Sequence, residues 1–469
     1  MKVFDIAVIG AGSGGLSVAA AAAQFGQRVV LFEKAEMGGD CLNTGCVPSK
    51  ALLAAAKQAQ AFREAAKYGI AAIEPEVDFA KVMDHVHGVI ATIAPLDSQT
   101  RFEKLGVTVI RGEAKFTGAT TLEANGETYT ARRIVIATGS RAAVPPIQGL
   151  ADVAFFTNET IFENRLLPQH LIIIGGGPIG MEMAQAHRRL GSEVTVLEAF
   201  DPLAKDDPEL AAIVLDALQA EGIRILARNA ISAVRATGGG IVAETAAGAI
   251  AGTHLLVAAG RTPNIEGLNL EVAGIAATAK GITVDKGLRT TNRKVFAIGD
   301  VAGGLQFTHV AGYHAGLVIR SALFGLPVTA RGPESIPWAT YTDPELAHVG
   351  LTEAEALKQH GDAVTVTRWS FHDNDRAIAE GKPKGLVKVV SGKRGRILGA
   401  SIVGAQAGDL IQPWVLAMEN GLSLKAMAGT VAPYPTRGEA SRRAAVASFA
   451  GLASNRWVRR VIGLIGRLG

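Results

Sequence analysis

The first third of the chain opens on a largely apolar run of strand length, Phe4 to Ile9, followed by a glycine turn, Gly10-Ala-Gly12-Ser13-Gly14-Gly15. An alanine-rich stretch of helical character comes next, and a second apolar run, Arg28 to Phe32, ends at Glu33. The order strand, turn, helix, strand recurs 165 residues later. Leu171 to Ile174 leads into Gly175-Gly-Gly177-Pro178-Ile-Gly180, a helix runs to Leu190, and a strand, Glu193 to Leu197, ends at Glu198. In both segments the acid lies 18 residues past the third glycine.

A single GxGxxG is a weak signal, since many ordinary turns contain it. Two copies with strand, helix and acid at identical spacing imply two dinucleotide sites. The glycines permit a tight turn, close approach of a pyrophosphate and helix–strand packing. The helix N-terminus stabilises phosphate charge, and the acid accepts hydrogen bonds from ribose hydroxyls.

Composition narrows the chemistry. Glycine is 55 of 469 residues without any collagen-like period, and charged residues are only 19 %. Two cysteines cannot make a disulfide framework or a Cys-rich zinc or iron–sulfur site, and no metal site is expected. No apolar stretch reaches the roughly 18 residues of a spanning helix. The first 26 residues mimic a signal peptide, but Asp5 and the glycines from Gly10 to Gly15 break the pattern. The expectation is a cytoplasmic protein with a mature N-terminus. The net charge of +4 is unevenly placed: residues 437–469 hold seven arginines against Glu439 alone, so the rest of the chain is slightly acidic. A general nucleic-acid surface is therefore not expected.

Both cysteines fall in Gly38-Gly39-Asp40-Cys41-Leu-Asn-Thr-Gly-Cys46-Val-Pro-Ser-Lys50, at the start of a helix. The positive end of the helix dipole lowers a thiol pKa there. A structural disulfide is disfavoured in a reducing compartment, so the pair suits a redox-active dithiol.

The C-x4-C-x-P-S-K stretch resembles that of the flavin-dependent pyridine nucleotide–disulfide oxidoreductases, which include dihydrolipoamide dehydrogenase, glutathione reductase and mercuric reductase. The resemblance extends over nearly the whole chain. It takes in Ala137-Thr138-Gly139, Ala259-Gly260-Arg261-Thr-Pro-Asn264, Phe296-Ala-Ile-Gly299-Asp300-Val, and Thr340 to Glu353. It implies an α/β fold: two Rossmann-like dinucleotide-binding domains, for FAD and NAD, plus a C-terminal α+β dimerisation domain.

Residue by residue, the resemblance places FAD on Gly10, Gly12, Ser13, Gly14, Gly15, Glu33, Lys34, Gly39, Lys50, Ala114, Thr138, Gly139, Asp300 and Thr308. NADH falls on Gly175, Gly177, Pro178, Gly180, Glu198, Gly260 and Arg261. Cys46 is the flavin-proximal sulfur and Cys41 the interchange sulfur. Lys50 matches the lysine near flavin N5, and Glu182 its partner. His309 is read as structural. A carboxylate at Glu198 favours a free ribose 2′-hydroxyl, and Ala199 and Phe200 offer no arginine for a 2′-phosphate, so NADH is expected over NADPH.

The pattern breaks near the C-terminus. The family carries His-Pro-Thr-x-x-Glu there, contributed from the other subunit, and its histidine moves the proton of the interchange thiol. This chain reads Tyr434-Pro-Thr-Arg-Gly-Glu439. A tyrosine, with a reference pKa near 10 against about 6.5 for histidine, donates a hydrogen bond but hardly acts as a base. Efficient turnover of ordinary dialkyl disulfides is not expected. Tyrosine near this position resembles mercuric reductase, although the C-terminal cysteine pair that delivers the metal in that enzyme is missing. Asp40 departs from the usual Thr or Ser, and a carboxylate there would raise the thiol pKa. The expected activity is NADH oxidation with electrons passed through Cys41–Cys46 to a disulfide-type, metal or quinone acceptor. A mercuric reductase-like metal reductase is one alternative; a weakly catalytic, flavin-bearing partner subunit at a membrane is another.

On a wheel at 100° per residue, residues 456–468 divide cleanly. Arg456, Arg459, Arg460 and Arg467 share one arc with Gly463 and Gly466, and Trp457, Val458, Val461, Ile462, Leu464, Ile465 and Leu468 fill the other. Such a helix either packs on the enzyme or its partner subunit, or lies on an anionic membrane surface at the inner face, where a membrane-protein partner is also available. The expected organisation is an FAD domain of residues 1–146 and 276–334, an NADH domain of 147–275, a dimerisation domain of 335–452 and a tail of 453–469. Because Tyr434 and Glu439 would complete the partner's site, a homodimer is expected.

Overall fold

The computed structural model describes residues 2–451 and 455–467. Leu468 and the expected boundary at 452/453 lie outside the described residues. The chain divides into two compact units: the residues up to Phe200 together with Ile223–Arg331, and Asp201–Gly222 together with the chain from Gly332 onward.

The first unit carries two parallel sheets. Five parallel strands run in the order Val107–Arg111, Val29–Glu33, Lys2–Ile9, Glu127–Ile136 and Val295–Ala297. Lys115–Gly118 and Thr121–Ala124 extend this sheet antiparallel. The second sheet is also parallel, ordered Arg224–Leu226, Glu193–Leu197, His170–Ile174 and His254–Val257. Val29–Glu33 is buried along its whole length, as a run without polar alternation requires. Helix Ser13–Gln24 packs on helix Thr308–Phe324, and Val8, Leu31, Phe296 and Val318 lie in the core they share with the sheet.

The recurrence in the sequence is a recurrence in space. Strand Lys2–Ile9 pairs with Val29–Glu33 as His170–Ile174 pairs with Glu193–Leu197. Gly10 and Gly175 turn the chain at φ +102° and +113°. A Cβ on Gly15 would stand 1.9 Å from the Gly10 carbonyl oxygen, and one on Gly180 would stand 2.0 Å from that of Gly175. No other residue type permits the helix to start this close to the strand end.

The second unit is built on an antiparallel sheet in the order Trp338–Thr340, Glu345–Gly350, Ile397–Gly404, Leu386–Ser391 and Thr365–Ser370. Trp414 is fully buried against it, its indole N–H donating to Ser441 Oγ at 3.0 Å. The buried Lys388 ammonium meets Asp207, Glu209 and Glu353 at 2.6–2.9 Å. Burial alone would lower its pKa, and the three carboxylates raise it instead.

Gly180→Ala tests the close contact. Overpacking of this kind costs about 1–3 kcal/mol, so the expected outcome is a Tm lowered by several degrees. Gly177→Ala, whose Cβ meets nothing within 4 Å, should leave Tm nearly unchanged. Equal melting of the two variants would refute the contact.

Candidate functional site

Each glycine turn is closed by its own acid in the same way. Glu33 accepts from Ala11 N at 2.6 Å and from Ala35 N at 2.7 Å. Glu198 accepts from Gly176 N at 2.6 Å and from Phe200 N at 2.8 Å. The helices that follow, Ser13–Gln24 and Pro178–Leu190, begin at Gly12 and Gly177 with no side-chain cap. Their first-turn amides are thus left for an anion, and the glycines leave room for it. Both cradles fit a dinucleotide pyrophosphate, with the acid placed at the end of the adjoining strand.

The other residues expected around the first cradle are spread over the same unit. The Gly39 Cα faces Gly12, since a Cβ there would lie 2.7 Å from the Gly12 Cα. Thr138 Oγ1 donates to the Asn264 carbonyl at 2.7 Å, and Asn264 N donates to the Gly139 carbonyl at 3.0 Å. Ala114 is buried, whereas Lys34 is exposed and pairs with Glu113 at 3.1 Å. Gly14 packs beneath Ile298 and Ala311. Gly260 accepts from Ala143 N at 2.9 Å. His309 stacks on Phe307, with ring centroids 5.3 Å apart.

The two cysteines are free thiols, and each shifts the pKa of the other. Cys41 is half-buried on the short helix Gly39–Asn43, and Cys46 is exposed as the first residue of helix Cys46–Glu64. Thr308, the first residue of helix Thr308–Phe324, stands with its hydroxyl 3.4 Å from Cys46 Sγ. The Cys46 sulfur therefore sits at the starts of two helices, where both dipoles favour negative charge. Its pKa is lowered to about 6, first by the Cys41 hydrogen bond, with Thr308 and the Lys50 charge acting in the same direction. The same shared proton raises Cys41, and burial adds to that.

Lys50 Nζ meets Glu182 Oε2 at 2.6 Å, and the Glu182 side chain is almost fully buried. Asp40, expected to raise the thiol pKa, does act in that direction on Cys46, but it is outweighed. Its carboxylate is occupied: Asp40 accepts from Thr44 Oγ1 at 3.0 Å and Asn158 Nδ2 at 2.9 Å, and pairs with Arg261 at 3.2 Å. The Arg261 guanidinium also donates to Ser140 Oγ at 2.7 Å and approaches Asp300 at 3.6 Å, and Ser140 Oγ in turn donates to Asp300 at 2.5 Å. Burial raises the Asp300 pKa, opposed by Ser140 and Arg261.

In the second unit Tyr434 and Glu439 each have their own partner. The exposed Tyr434 hydroxyl donates to Asp375 at 2.8 Å, which raises its pKa further. Glu439 opens helix Glu439–Ala447 and pairs with Arg443 at 2.9 Å. The C-terminal helix spans Arg456–Ile465, capped by Asn455, and none of its residues is buried. Among the described residues no group of three His, Cys, Asp or Glu side chains could hold a metal ion, and no helix is long and apolar enough to cross a membrane.

Sequence reasoning missed Ser140, Asn158 and Asp375. Ser140 directly follows Thr138-Gly139 and could have been found there; the other two carry no local signal.

The electrostatics of Cys46 give a direct check. In the reduced protein, alkylation of Cys46 by iodoacetamide should be half-maximal near pH 6, against about 8.5 for an ordinary thiol. Cys41→Ala and Lys50→Met each remove an influence that lowers this pKa, so both should move the midpoint upward. A wild-type midpoint in the ordinary range would overturn the assignment.

Comparison with known proteins agrees with this geometry. Residues 4–315 match the model of the pyridine nucleotide-disulphide oxidoreductases, and residues 336–445 match that family's dimerisation domain. A mercuric reductase of Streptomyces lividans is 36 % identical over 455 residues, covering 94 % of this chain and 95 % of its own. A dihydrolipoyl dehydrogenase of Thermus scotoductus is 37 % identical over 470 residues, covering 95 % and 98 %. Among solved structures, the HOCl-induced flavoprotein disulfide reductase RclA of Escherichia coli superposes with a TM-score of 0.85 at 28 % identity, covering 94 % of this chain and 99 % of its own. Enzymes of this kind use FAD and NAD(P)H, and the matched dimerisation domain supports a homodimer. The chain belongs to the pyridine nucleotide–disulfide oxidoreductases, an oxidoreductase family of flavoproteins.

Proposed function

We propose that this protein is an NADH-oxidising dithiol flavoenzyme whose Cys41–Cys46 pair cycles between disulfide and dithiol. The observation that carries this reading is the Cys46 sulfur at two helix starts, 3.4 Å from the Thr308 hydroxyl, with its pKa lowered by Cys41, Thr308 and the Lys50 charge. In this reading residues 1–146 and 276–334 hold FAD, 147–275 hold NADH, and 335–452 dimerise. Bound FAD, held on Gly10, Gly12, Gly15, Glu33 and Asp300, supplies the two-electron relay between nicotinamide and sulfur.

The remaining work falls to the chain. The Cys41–Cys46 disulfide gains two electrons and two protons and opens to the dithiol. Cys46, at the helix starts, gives up its proton first and stays a thiolate. Cys41 keeps its proton and is the sulfur offered to the acceptor. Oxidation passes two electrons to the acceptor, releases the remaining Cys41 proton and closes the S–S bond again. Lys50, fixed by Glu182, keeps a positive charge near the Cys46 thiolate.

Tyr434 selects the acceptor by what it cannot do. With its pKa raised by Asp375, it holds its proton at neutral pH, so no base drives Cys41 at a dialkyl disulfide. A metal ion, a quinone, or a disulfide or persulfide with an acidic leaving thiol needs no such base. The mercuric reductase relatives support the metal-ion alternative. The exposed C-terminal helix supports peripheral attachment at a membrane, through lipid or a membrane protein.

Anaerobic NADH titration of the flavoprotein should produce a long-wavelength thiolate–flavin band. Its absence would favour a weakly catalytic partner subunit. An NADH oxidation screen over lipoamide, oxidised glutathione, aromatic disulfides, Hg(II), Cu(II) and quinones then identifies the acceptor. General acid–base catalysis is typically worth about 10²–10⁴-fold, so Tyr434→His should raise lipoamide turnover at least tenfold; no change counts against the role given to Tyr434. The kcat/KM for NADH should exceed that for NADPH, because the Glu198 carboxylate repels a 2′-phosphate. A tenfold advantage for NADPH would sink that part of the reading.

A further inference from the structure

We propose that the C-terminal helix, Arg456–Ile465, docks the enzyme flat on an anionic lipid bilayer. The helix has a built start: the Asn455 side chain accepts from Trp457 N at 2.9 Å and from Val458 N at 3.3 Å. Beyond that cap, none of its residues is buried. Trp457 is 74 % exposed, and Ile462, Leu464 and Ile465 are each more than 60 % exposed, although they share one arc of the helix. Arg456, Arg459 and Arg460 occupy the opposite arc, and the Arg460 guanidinium lies over the Trp457 ring at 5.7 Å, at the border between the two.

The two arcs together select the occupant. A nucleic acid would take the arginines and leave Trp457, Ile462, Leu464 and Ile465 in water. An apolar groove on a protein would take those four and leave the arginines without matching charge. The helix itself is purely cationic on that arc, since no Asp or Glu side chain follows Glu439 in the sequence. The boundary of an anionic bilayer satisfies both arcs at once: acyl chains beneath the apolar side, and phosphates level with the arginines. Ten helical residues extend only about 15 Å, half the roughly 30 Å of a hydrocarbon core, so the helix lies on the bilayer and does not cross it. Gly463 weakens the isolated helix, and a surface that buries its apolar side restores what the glycine removes. This inference rests on the proposed function only for its purpose, the delivery of electrons at a membrane, and NADH oxidation is scored separately in solution.

The test is flotation of the full-length flavoprotein with vesicles of phosphatidylcholine alone or with phosphatidylglycerol added. Binding to the anionic vesicles should be at least tenfold tighter and should fall as salt is raised. It should be lost in the 1–452 chain, in Ile462→Glu, and in the triple variant Arg456→Gln, Arg459→Gln, Arg460→Gln, with NADH oxidation in solution unchanged. The Ile462→Glu and arginine variants keep the test decisive if truncation harms folding. Equal flotation of full-length and 1–452 protein overturns the proposal, as does arginine-independent binding. A 1–452 chain whose dimer dissociates, with no vesicle binding by the full chain, also overturns it and assigns the helix to the subunit interface. Loss of NADH oxidation in every protein, with vesicle binding intact, leaves the docking standing and removes the redox reading instead.

Discussion

Two α-carbons pressed onto carbonyl oxygens hold both nucleotide cradles in shape. Gly15 against Gly10 and Gly180 against Gly175 bring each helix start to the end of its strand, and every other feature of the cradles depends on that approach. The uncapped amides point where a phosphate can meet them only because the helix begins there. Glu33 and Glu198 can bond the amide following the first glycine only because the turn brings it back toward the neighbouring strand. A change at the third glycine would thus disturb a strand, a helix and an acid 18 residues away.

Around the cysteines the balance is between one carboxylate and several groups of opposite influence. Asp40 lies one residue from Cys41, where an unpaired charge would raise both sulfurs. Its carboxylate is held by Arg261, Thr44 and Asn158, and what it still adds at Cys46 is outweighed. Arg261 is itself shared with Asp300 and Ser140, so it links the cysteine segment to the Gly299-Asp300 turn. The field at Cys46 is then set by the Cys41 hydrogen bond, Thr308 and Lys50, and it favours the thiolate. Asp40 serves more as an anchor for Arg261 than as a brake on the thiol.

What the sequence discloses here follows the range of the interaction. The strands, the glycine turns and the tail helix were legible because their physics is local: apolar runs, spacings of a few residues, a wheel that divides into two arcs. The Lys50–Glu182 pair spans 132 positions and was reachable only because the resemblance supplied a partner for each. The Arg261–Asp40 pair, 221 positions apart, and the Tyr434–Asp375 bond had no such guide. Asp375 sits in a polar stretch that looks like any solvated loop, and only folding brings its carboxylate to the tyrosine hydroxyl. Arg261 was expected at a nucleotide; its contacts with Asp40, Ser140 and Asp300 were not readable from spacing.

These electrostatics divide the proposed cycle unevenly. Reduction of the disulfide needs one sulfur that carries negative charge comfortably, and Cys46 has that from two helix starts and Lys50 without any base. Oxidation needs the proton of Cys41 to leave, and the Cys46 thiolate raises that sulfur instead. In the proposed dimer a histidine at position 434 would resolve the conflict; a tyrosine hydrogen-bonded to Asp375 would not. On that proposal the acceptor does the work itself, either by displacing the proton with a stronger bond to sulfur, as a soft metal ion does, or by taking up protons as it is reduced, as a quinone does. An acceptor that leaves as a basic alkyl thiolate does neither, so the same thiolate that eases the first half of the cycle narrows the choice in the second.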